Sequence, residues 1–281
     1  MRGQLWGLWK PPLGTKVDTT HPLYPGMELW HLCNEGSGQL INDLSEHGFS
    51  RRGVQNPAGA SPGLWIPGPF GPSLNFNGTS NWVAVGDRQA GTGIVQGYTG
   101  MPVAANQPIT ISFWMRITAN GVGNTCIAHN GNNANASGFP WEVNWSSSFT
   151  NVIRYNVAGP NFVQQGVWDG NGEAIALNKY THVLITDDGK MAASSIAFWL
   201  NGRKISSQQT LVPNPATKPT VNGPIGWGGS NPADFGQFYA GLMDNFQIWS
   251  RVLPDSQIKS LYSNPFAACV VPPWRRYYIM N

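Results

Sequence analysis

The segment Gly241–Leu253 constrains the fold most, because its side chains alternate in the way that a strand in a sheet requires. Phe246 and Ile248 would face one side of the sheet, while Asn245 and Gln247 would face the other. A proline and an aspartate follow the segment, and apolar residues at helical spacing come next. We therefore predict a strand, a turn and one short helical turn at this point of the chain.

Other segments repeat the strand pattern, most clearly Ile109–Ile117, in which five apolar side chains share one face. Further strand signals lie at Met27–Cys33, Leu74–Phe76, Trp82–Val85, Thr125–His129, Trp141–Trp145, Val152–Val157, His182–Thr186 and Ile196–Leu200. Only 11% of the residues are charged, and the chain has 34 Gly and 22 Pro, which excludes helical bundles and coiled coils. The spacing of strands and turns predicts an all-β fold, a two-sheet antiparallel sandwich.

Two arms flank the predicted sandwich, which we place at residues 28–262. Residues 1–27 contain prolines that forbid a helix and interrupt sheet pairing, together with Trp6 and Trp9. Residues 263–281 also contain prolines and end in aromatic and basic side chains. Because extended chain rich in tryptophan is poorly solvated, we expect each arm to pack on its own domain or on a neighbouring subunit.

Charge and cysteine content argue against several classes of protein. The net charge of +3 is small and scattered, whereas nucleic-acid binding needs a dense basic face. Cys33, Cys126 and Cys269 are odd in number and widely spaced, which argues against a disulfide framework and a zinc site and suggests folding in a cytosol. No apolar stretch approaches the ~18 residues of a membrane span, and the N-terminal residues lack a secretory pattern. We expect neither a membrane span nor Sec export.

Seven segments, taken in order, resemble the laminin-G-like (concanavalin A-like) jelly roll. They are Leu29–Gly38, Asp43–Gly48, Gly71–Thr79, Ile109–Arg116, Tyr180–Gly189, Ile196–Arg203 and Gly241–Leu253. The resemblance runs from about Gly26 to Tyr262 and implies one jelly-roll β-sandwich with extended N- and C-terminal arms. The arm segments Trp9–Thr15 and Asn264–Ala267 resemble single-domain versions found among tailed-phage structural proteins.

The resemblance also implies one structural Ca²⁺ that ties the first strand to the last, since oxygen-only ligation suits this cation. By motif, Asp244 would supply the carboxylate, and backbone carbonyls near Asn34 and Gly78 would complete the site, with Asp43 as an additional ligand. The alternative is that Asp244 only caps a loop through hydrogen bonds.

Glycan binding needs aromatic rings beside polar groups, and the middle of the chain offers both. The candidate residues are Trp141, Glu142, Asn144, Trp145, Trp168 and Asp169. The alternative is that the three tryptophans fill the core or a subunit contact. Glycanases on this sandwich use a Glu-x-Asp-x-Glu strand, and the nearest segment here, Trp141–Trp145, supplies one carboxylate where two are required. We therefore expect no enzymatic activity.

The sequence thus favours a non-enzymatic virion structural protein, such as a capsid decoration, head-fibre or tail component of a phage. Its arms would clamp itself or other virion subunits, and its sandwich would be displayed outward, with adhesion to surface glycans as an added role. Such a protein would fold in the host cytoplasm and end in the virion. A free carbohydrate-binding lectin module, with an extracellular location, is the alternative, and a glycan-active enzyme is disfavoured by the missing carboxylate pair.

Overall fold

A computed structural model describes residues 9–55, 64–85, 107–118, 124–130, 139–146, 152–158, 164–171, 174–192, 194–211, 225–229 and 237–270. The strands before the long central strand are β1 Lys16–Val17, β2 Met27–His31, β3 Leu40–Ile41, β4 Gly53–Gln55, β5 Leu64–Pro67, β6 Pro72–Asn77 and β7 Val83–Val85. They are followed by β8 Ile109–Ile117, β9 Asn124–Asn130, β10 Phe139–Ser146, β11 Val152–Ala158, β12 Gln164–Asn171 and β13 Thr181–Asp187. The last elements are β14 Ile196–Leu200, β15 Arg203–Leu211, β16 Ile225–Trp227, β17 Ala240–Trp249, α1 Asp255–Ser263 and β18 Cys269–Val270, and a 3₁₀ turn occupies Gly48–Arg51.

Two antiparallel sheets form the body of the domain. The first has the order β5–β6–β17–β8–β13–β14–β15. On one edge of β17, β6 pairs with the first half of the strand and β2 pairs with the second half. The second has the order β3–β4–β7–β16–β9–β10–β11–β12–β15. The long strand β15 belongs to both, because its start pairs with β14 and its remainder pairs with β12. The predicted all-β sandwich is confirmed, and so is the strand, turn and helix at the end of the domain.

The main core lies between the two sheets. From the first sheet it takes side chains such as Phe113 and Phe246, and from the second it takes Trp145 and Trp227. The Phe246 and Trp227 rings stack with centroids 5.3 Å apart, which joins the two sheets directly. The apolar face predicted for the strand at 109–117 is therefore a core face.

A second apolar cluster covers the opposite face of the first sheet and explains where the arms go. It combines Trp249 of β17 with Leu23 and Met27 of the N-terminal segment, and with Ile258 of α1 and Phe266 beyond it. The sequence of this sheet has large apolar residues on both faces because both faces are covered. The domain thus has a third layer, built from its own ends.

Both arms dock on their own domain as far as the structure describes them. β1 and β18 pair with each other, and the Trp249 indole donates a hydrogen bond to the Leu23 carbonyl oxygen at 2.7 Å. The predicted boundary at residue 27 falls inside β2, so residues 9–27 are part of the folded unit. Of the two expected arrangements, packing on the own domain is the one that the structure shows for 9–27 and 263–270. Residues 1–8 and 271–281 lie outside the described residues.

The three cysteines are free, as predicted, with Cys33 and Cys126 buried and Cys269 partly buried. Within the described ranges, no helix has the length and apolar character that crossing a membrane would take.

Candidate functional site

The three tryptophans predicted to stack on a sugar are core residues. Trp141 and Trp145 of β10 and Trp168 of β12 are at most 1% exposed and belong to the cluster between the sheets. Their rings are therefore closed to a ligand, and the alternative that they fill the core is correct. The physical reason is alternation, because every second residue of β10 must face the sandwich interior.

The polar half of the prediction lies on the other face of the same strands. Strand pairing places Glu142 opposite Asn156 of β11 and His129 of β9, and Asn144 opposite Arg154. Arg154 is in turn opposite Asp169 of β12. We call this set the polar face: His129, Glu142, Asn144, Arg154, Asn156 and Asp169. Each of its members is at most 7% exposed.

Arg154 and Asn156 are functional candidates that the sequence prediction did not include, although the sequence carries a signal for them. In Val152–Val157 the residues Ile153, Tyr155 and Val157 alternate with Arg154 and Asn156, which places the two polar side chains on one face. Once Glu142 and Asn144 are assigned to the outer face of β10, the neighbouring strand must present its own polar residues beside them.

Arg154 and Asp169 form an ion pair on the polar face. Arg154 donates from Nε to Asp169 Oδ1 at 2.7 Å and from Nη2 to Asp169 Oδ2 at 3.1 Å. Such a two-point contact fixes both side chains and uses both carboxylate oxygens. Asp169 is therefore held as a structural partner of Arg154.

The centre of the polar face has hydrogen-bonding capacity left over. Asn156 Nδ2 donates to Glu142 Oε2 at 3.2 Å, and burial raises the pKa of the Glu142 carboxyl above its usual value. Among the residues that the structure describes, the buried Oδ1 atoms of Asn144 and Asn156 find no hydrogen-bond partner. A buried acceptor without a donor costs free energy, so these two oxygens are a feature that calls for an explanation.

The carboxylates of the polar face do not form a hydrolytic pair. Glu142 and Asp169 lie on strands two places apart and two residues out of register, so their Cα atoms are about 12 Å apart by sheet spacing. Asp169 is bound by Arg154, which leaves Glu142 as the one carboxylate of the set that an arginine does not hold. The arrangement can bind a neutral polar ligand by hydrogen bonds.

The residues predicted to bind calcium are only partly together. Asp244 lies in β17, and its Oδ1 is 2.6 Å from Lys10 Nζ, while Ser73 Oγ donates to its Oδ2 at 2.8 Å. Lys10 Nζ also donates to the carbonyl oxygen of Cys33 at 2.8 Å and to that of Pro72. The neighbouring Asn34 instead uses its side chain, which donates to Pro11 O at 2.9 Å.

The other two predicted ligands lie elsewhere. Gly78 follows β6 with φ +74°, and its N–H donates to Tyr239 O at 3.0 Å, five residues before Asp244. Asp43 accepts from the backbone N–H of Trp30 at 2.8 Å and that of Ser45 at 3.0 Å, and burial raises its pKa to about 6. Asp43 thus anchors β2 to the segment that follows β3.

The oxygen set around Asp244 does not fit a calcium ion in this structure. Calcium takes six to eight oxygen ligands, whereas here three oxygens converge on the Lys10 ammonium, which occupies the position of the cation. Within the described ranges, no cluster of three or more His, Cys, Asp or Glu side chains could hold a metal. The structure does not bring Asp244, Asn34, Gly78 and Asp43 together as one ligand set, and it places an ion pair with Lys10 at Asp244.

Comparisons with known proteins agree with the fold. Residues 76–259 match the family model described as the concanavalin A-like lectin/glucanases superfamily, which is more than half of the chain. No curated protein matches the sequence.

Among solved structures, domain 4 of AbnA, a GH43 extracellular arabinanase from Geobacillus stearothermophilus in complex with arabinotriose, aligns with a TM-score of 0.58 and 14% identity. The alignment covers 84% of this chain and 98% of that one. The binding domain of Paraclostridial Mosquitocidal Protein 1 aligns with a TM-score of 0.59 and 16% identity, over 86% of this chain and 53% of that one. The receptor binding domain of botulinum neurotoxin C/D mosaic serotype aligns with a TM-score of 0.56 and 14% identity, over 86% of this chain and 52% of that one. This chain thus spans about half of each toxin domain, and identities this low show a shared fold.

Proposed function

Because the chain belongs to the concanavalin A-like lectin/glucanases superfamily, we propose that it is a non-catalytic domain that binds a carbohydrate. The polar face carries this proposal, since it holds the Oδ1 atoms of Asn144 and Asn156, which lack a donor among the described residues, beside the Glu142 carboxyl. Sugar hydroxyls donate hydrogen bonds to such acceptors, and a sheet holds the acceptors at fixed spacing. The arabinanase domain solved with arabinotriose supports the same ligand class.

Because the polar face is buried, a sugar can bind there only after the face has opened. Asn144 and Asn156 are each 2% exposed without a ligand, so the sugar must displace whatever shields them. Binding then supplies the donors that the two buried acceptors lack, and this gain offsets part of the cost of opening.

The absence of catalysis is part of the proposal and follows from the carboxylates. Glycoside hydrolysis uses an acid and a second carboxylate flanking one glycosidic bond. On the polar face Asp169 is tied to Arg154 by two hydrogen bonds, so Glu142 has no free carboxylate partner within this set.

A glycan array followed by calorimetric titration of the best ligand tests the proposal. We expect Asn144→Leu and Asn156→Leu each to weaken binding at least tenfold, because each removes an acceptor and an amide donor. Asn75→Leu on β6 of the first sheet is the matched control and should bind as the wild type does. Equal affinity for all four proteins, or an array without a hit, would contradict the proposal.

As a second proposal, the domain is a structural component of a phage virion, a decoration, head-fibre or tail protein, rather than a free extracellular lectin. The specific observation is exposed apolar side chains on both docked arms, with Trp9 66%, Leu13 57% and Val270 44% exposed. Such residues suit contact with a second copy or another virion subunit. The arms would then serve assembly from a position docked on their own domain.

Sedimentation of the purified full chain tests the assembly role. We expect a concentration-dependent oligomer that Trp9→Ser combined with Leu13→Ser dissociates. Val252→Ser, which changes a side chain 41% exposed outside the arms, should leave the oligomer intact. A wild-type monomer at all concentrations would argue against self-assembly through the arms.

A further inference from the structure

The strands around Asp244 form a small oxygen cage. Asp244 lies in β17, which pairs with β2 and with β6. The carbonyl of Cys33 lies two residues beyond the end of β2, and the carbonyl of Pro72 lies at the start of β6, so three oxygens from the neighbourhood of three adjacent strands converge. A positive charge at their centre holds the three strands together.

The charge at the centre is the ammonium of Lys10. It makes an ion pair with Asp244 Oδ1 at 2.6 Å and donates hydrogen bonds to the Cys33 and Pro72 carbonyls. A lysine ammonium has three N–H donors and no acceptor, so three oxygens match its capacity. The side chains of Lys10 and Asp244 are 2% and 0% exposed, so water solvates neither charge appreciably.

The backbone around Lys10 is held as firmly as its side chain. Lys10 N–H donates to Phe70 O at 2.9 Å, and the Pro11 carbonyl accepts from the Asn34 side chain at 2.9 Å. The Thr15 hydroxyl then donates to Pro12 O at 2.7 Å and closes a turn. The segment therefore presents the ammonium in a fixed place, and less side-chain entropy remains to be lost when the ion pair forms.

Asp244 needs such a partner to stay ionised. Burial raises the pKa of its carboxyl, while the nearby Lys10 charge and the Ser73 hydroxyl act in the opposite direction. A buried carboxylate without a cation would be strongly unfavourable, and breaking a buried pair by removing one partner is costly for that reason.

We propose that the Lys10 ammonium replaces the structural metal ion, so that this domain joins β2, β6 and β17 without calcium. The cation is part of the N-terminal segment itself, as the side chain of Lys10. The cage is therefore complete only when that segment is docked on the domain. Loss of the segment would therefore open the junction between β2, β6 and β17. Binding of calcium would require Lys10 to leave.

Thermal unfolding of the full chain with and without metal is the first test. We expect the wild-type Tm to be the same in millimolar CaCl₂ and in EDTA, since a ligand stabilises only a native state that binds it. Lys10→Met should lower the Tm by roughly 10 °C, because Met keeps the length of the side chain and removes its charge. Lys16→Met, on the exposed arm strand β1, is the matched control and should change little.

A double-mutant cycle then separates the ion pair from simple loss of packing. Asp244→Asn in the Lys10→Met background removes the stranded carboxylate, so the double variant should be more stable than the sum of the two single losses predicts. If Lys10→Met fails to fold, the same cycle can begin from Lys10→Gln. A wild-type Tm that calcium raises by several degrees, or strictly additive losses in the cycle, would overturn the proposal.

Discussion

Two buried polar regions of this domain differ in how completely their hydrogen bonds are satisfied. At the Lys10–Asp244 cage, Asp244 Oδ1 has no hydrogen bond of good geometry but lies 2.6 Å from the Lys10 ammonium, whose opposite charge compensates it. Ser73 donates to Asp244 Oδ2, and two backbone carbonyls accept from Lys10. On the polar face Arg154 and Asp169 are matched, but the Oδ1 atoms of Asn144 and Asn156 are not. A satisfied buried group stabilises a fold, whereas an unsatisfied one costs stability and persists where function needs it. This difference agrees with our proposals that the cage serves the fold and that the polar face serves recognition.

The largest expected effect is at the cage. Asp244→Leu leaves the Lys10 ammonium buried without an anion, and we expect a loss of about 3–5 kcal/mol in the free energy of unfolding. Urea unfolding of the variant beside the wild type measures it. Combining Asp244→Leu with Lys10→Met should recover much of the loss, and a loss below about 1 kcal/mol for the single variant would remove the contrast between the regions.

Acidification should act on a histidine that joins the two sheets. His31 accepts from the Trp227 indole at 3.2 Å and contacts Arg51 O at 2.8 Å, and burial lowers its pKa to about 4. The unfolded chain, with a pKa near 6.5, then binds more protons than the native state between these values. Stability from His31 is complete above pH 6.5 and falls by up to about 3 kcal/mol as pH drops toward 4.

Urea unfolding at several pH values, with His31→Asn as the comparison, measures this dependence. Asp43 acts with the opposite sign, because its pKa of about 6 exceeds the unfolded value and its contribution to stability falls as pH rises from about 4 to 6. Both proteins contain Asp43, so the difference between their pH curves reports His31. Parallel curves would show that His31 is not held neutral in the fold.

The ion pair of the polar face should matter less than the cage. Arg154→Met leaves Asp169 without its partner, but the two side chains are 7% and 10% exposed rather than 2% and 0%. Water can therefore reach the stranded carboxylate more easily, and we expect a loss of about 1–3 kcal/mol. Chemical denaturation beside Arg203→Met, an exposed arginine on β15, provides the measurement and its control. If Arg154→Met lowered the free energy of unfolding as much as Asp244→Leu does, both regions would serve mainly to stabilise the fold.

The smallest expected change in stability is at the two asparagines whose Oδ1 atoms have no hydrogen-bond partner among the described residues. Asn144→Leu removes a buried oxygen that has no donor among the described residues, and this gain offsets the loss of the Asn144 hydrogen bond to Glu142, so the Tm should stay within about 2 °C of the wild-type value. The same variant should lose glycan affinity, and the combination of these results would identify a functional residue. A marked fall in Tm would instead show that Asn144 serves the fold.

The sequence alone determined the sandwich, because alternation in β8 and β17 forces one face of each strand into a core, and turn residues separate the strands. It also singled out Asp244 and the polar residues of β10 and β12. Alternation places Trp141 and Glu142 on opposite faces of β10, but it could not decide whether the tryptophans meet the other sheet or a ligand. Only the two-layer packing assigned the tryptophans to the core.

The tertiary structure also decided the partner of Asp244. Lys10 lies more than two hundred residues away in the chain, and no local pattern links the two positions. Their pairing depends on the long-range contacts that place the N-terminal segment across the ends of β2 and β6. The free energy of burying a charged side chain depends on which opposite charge lies next to it in the folded domain. That neighbour is set by long-range packing, so the local sequence does not determine it.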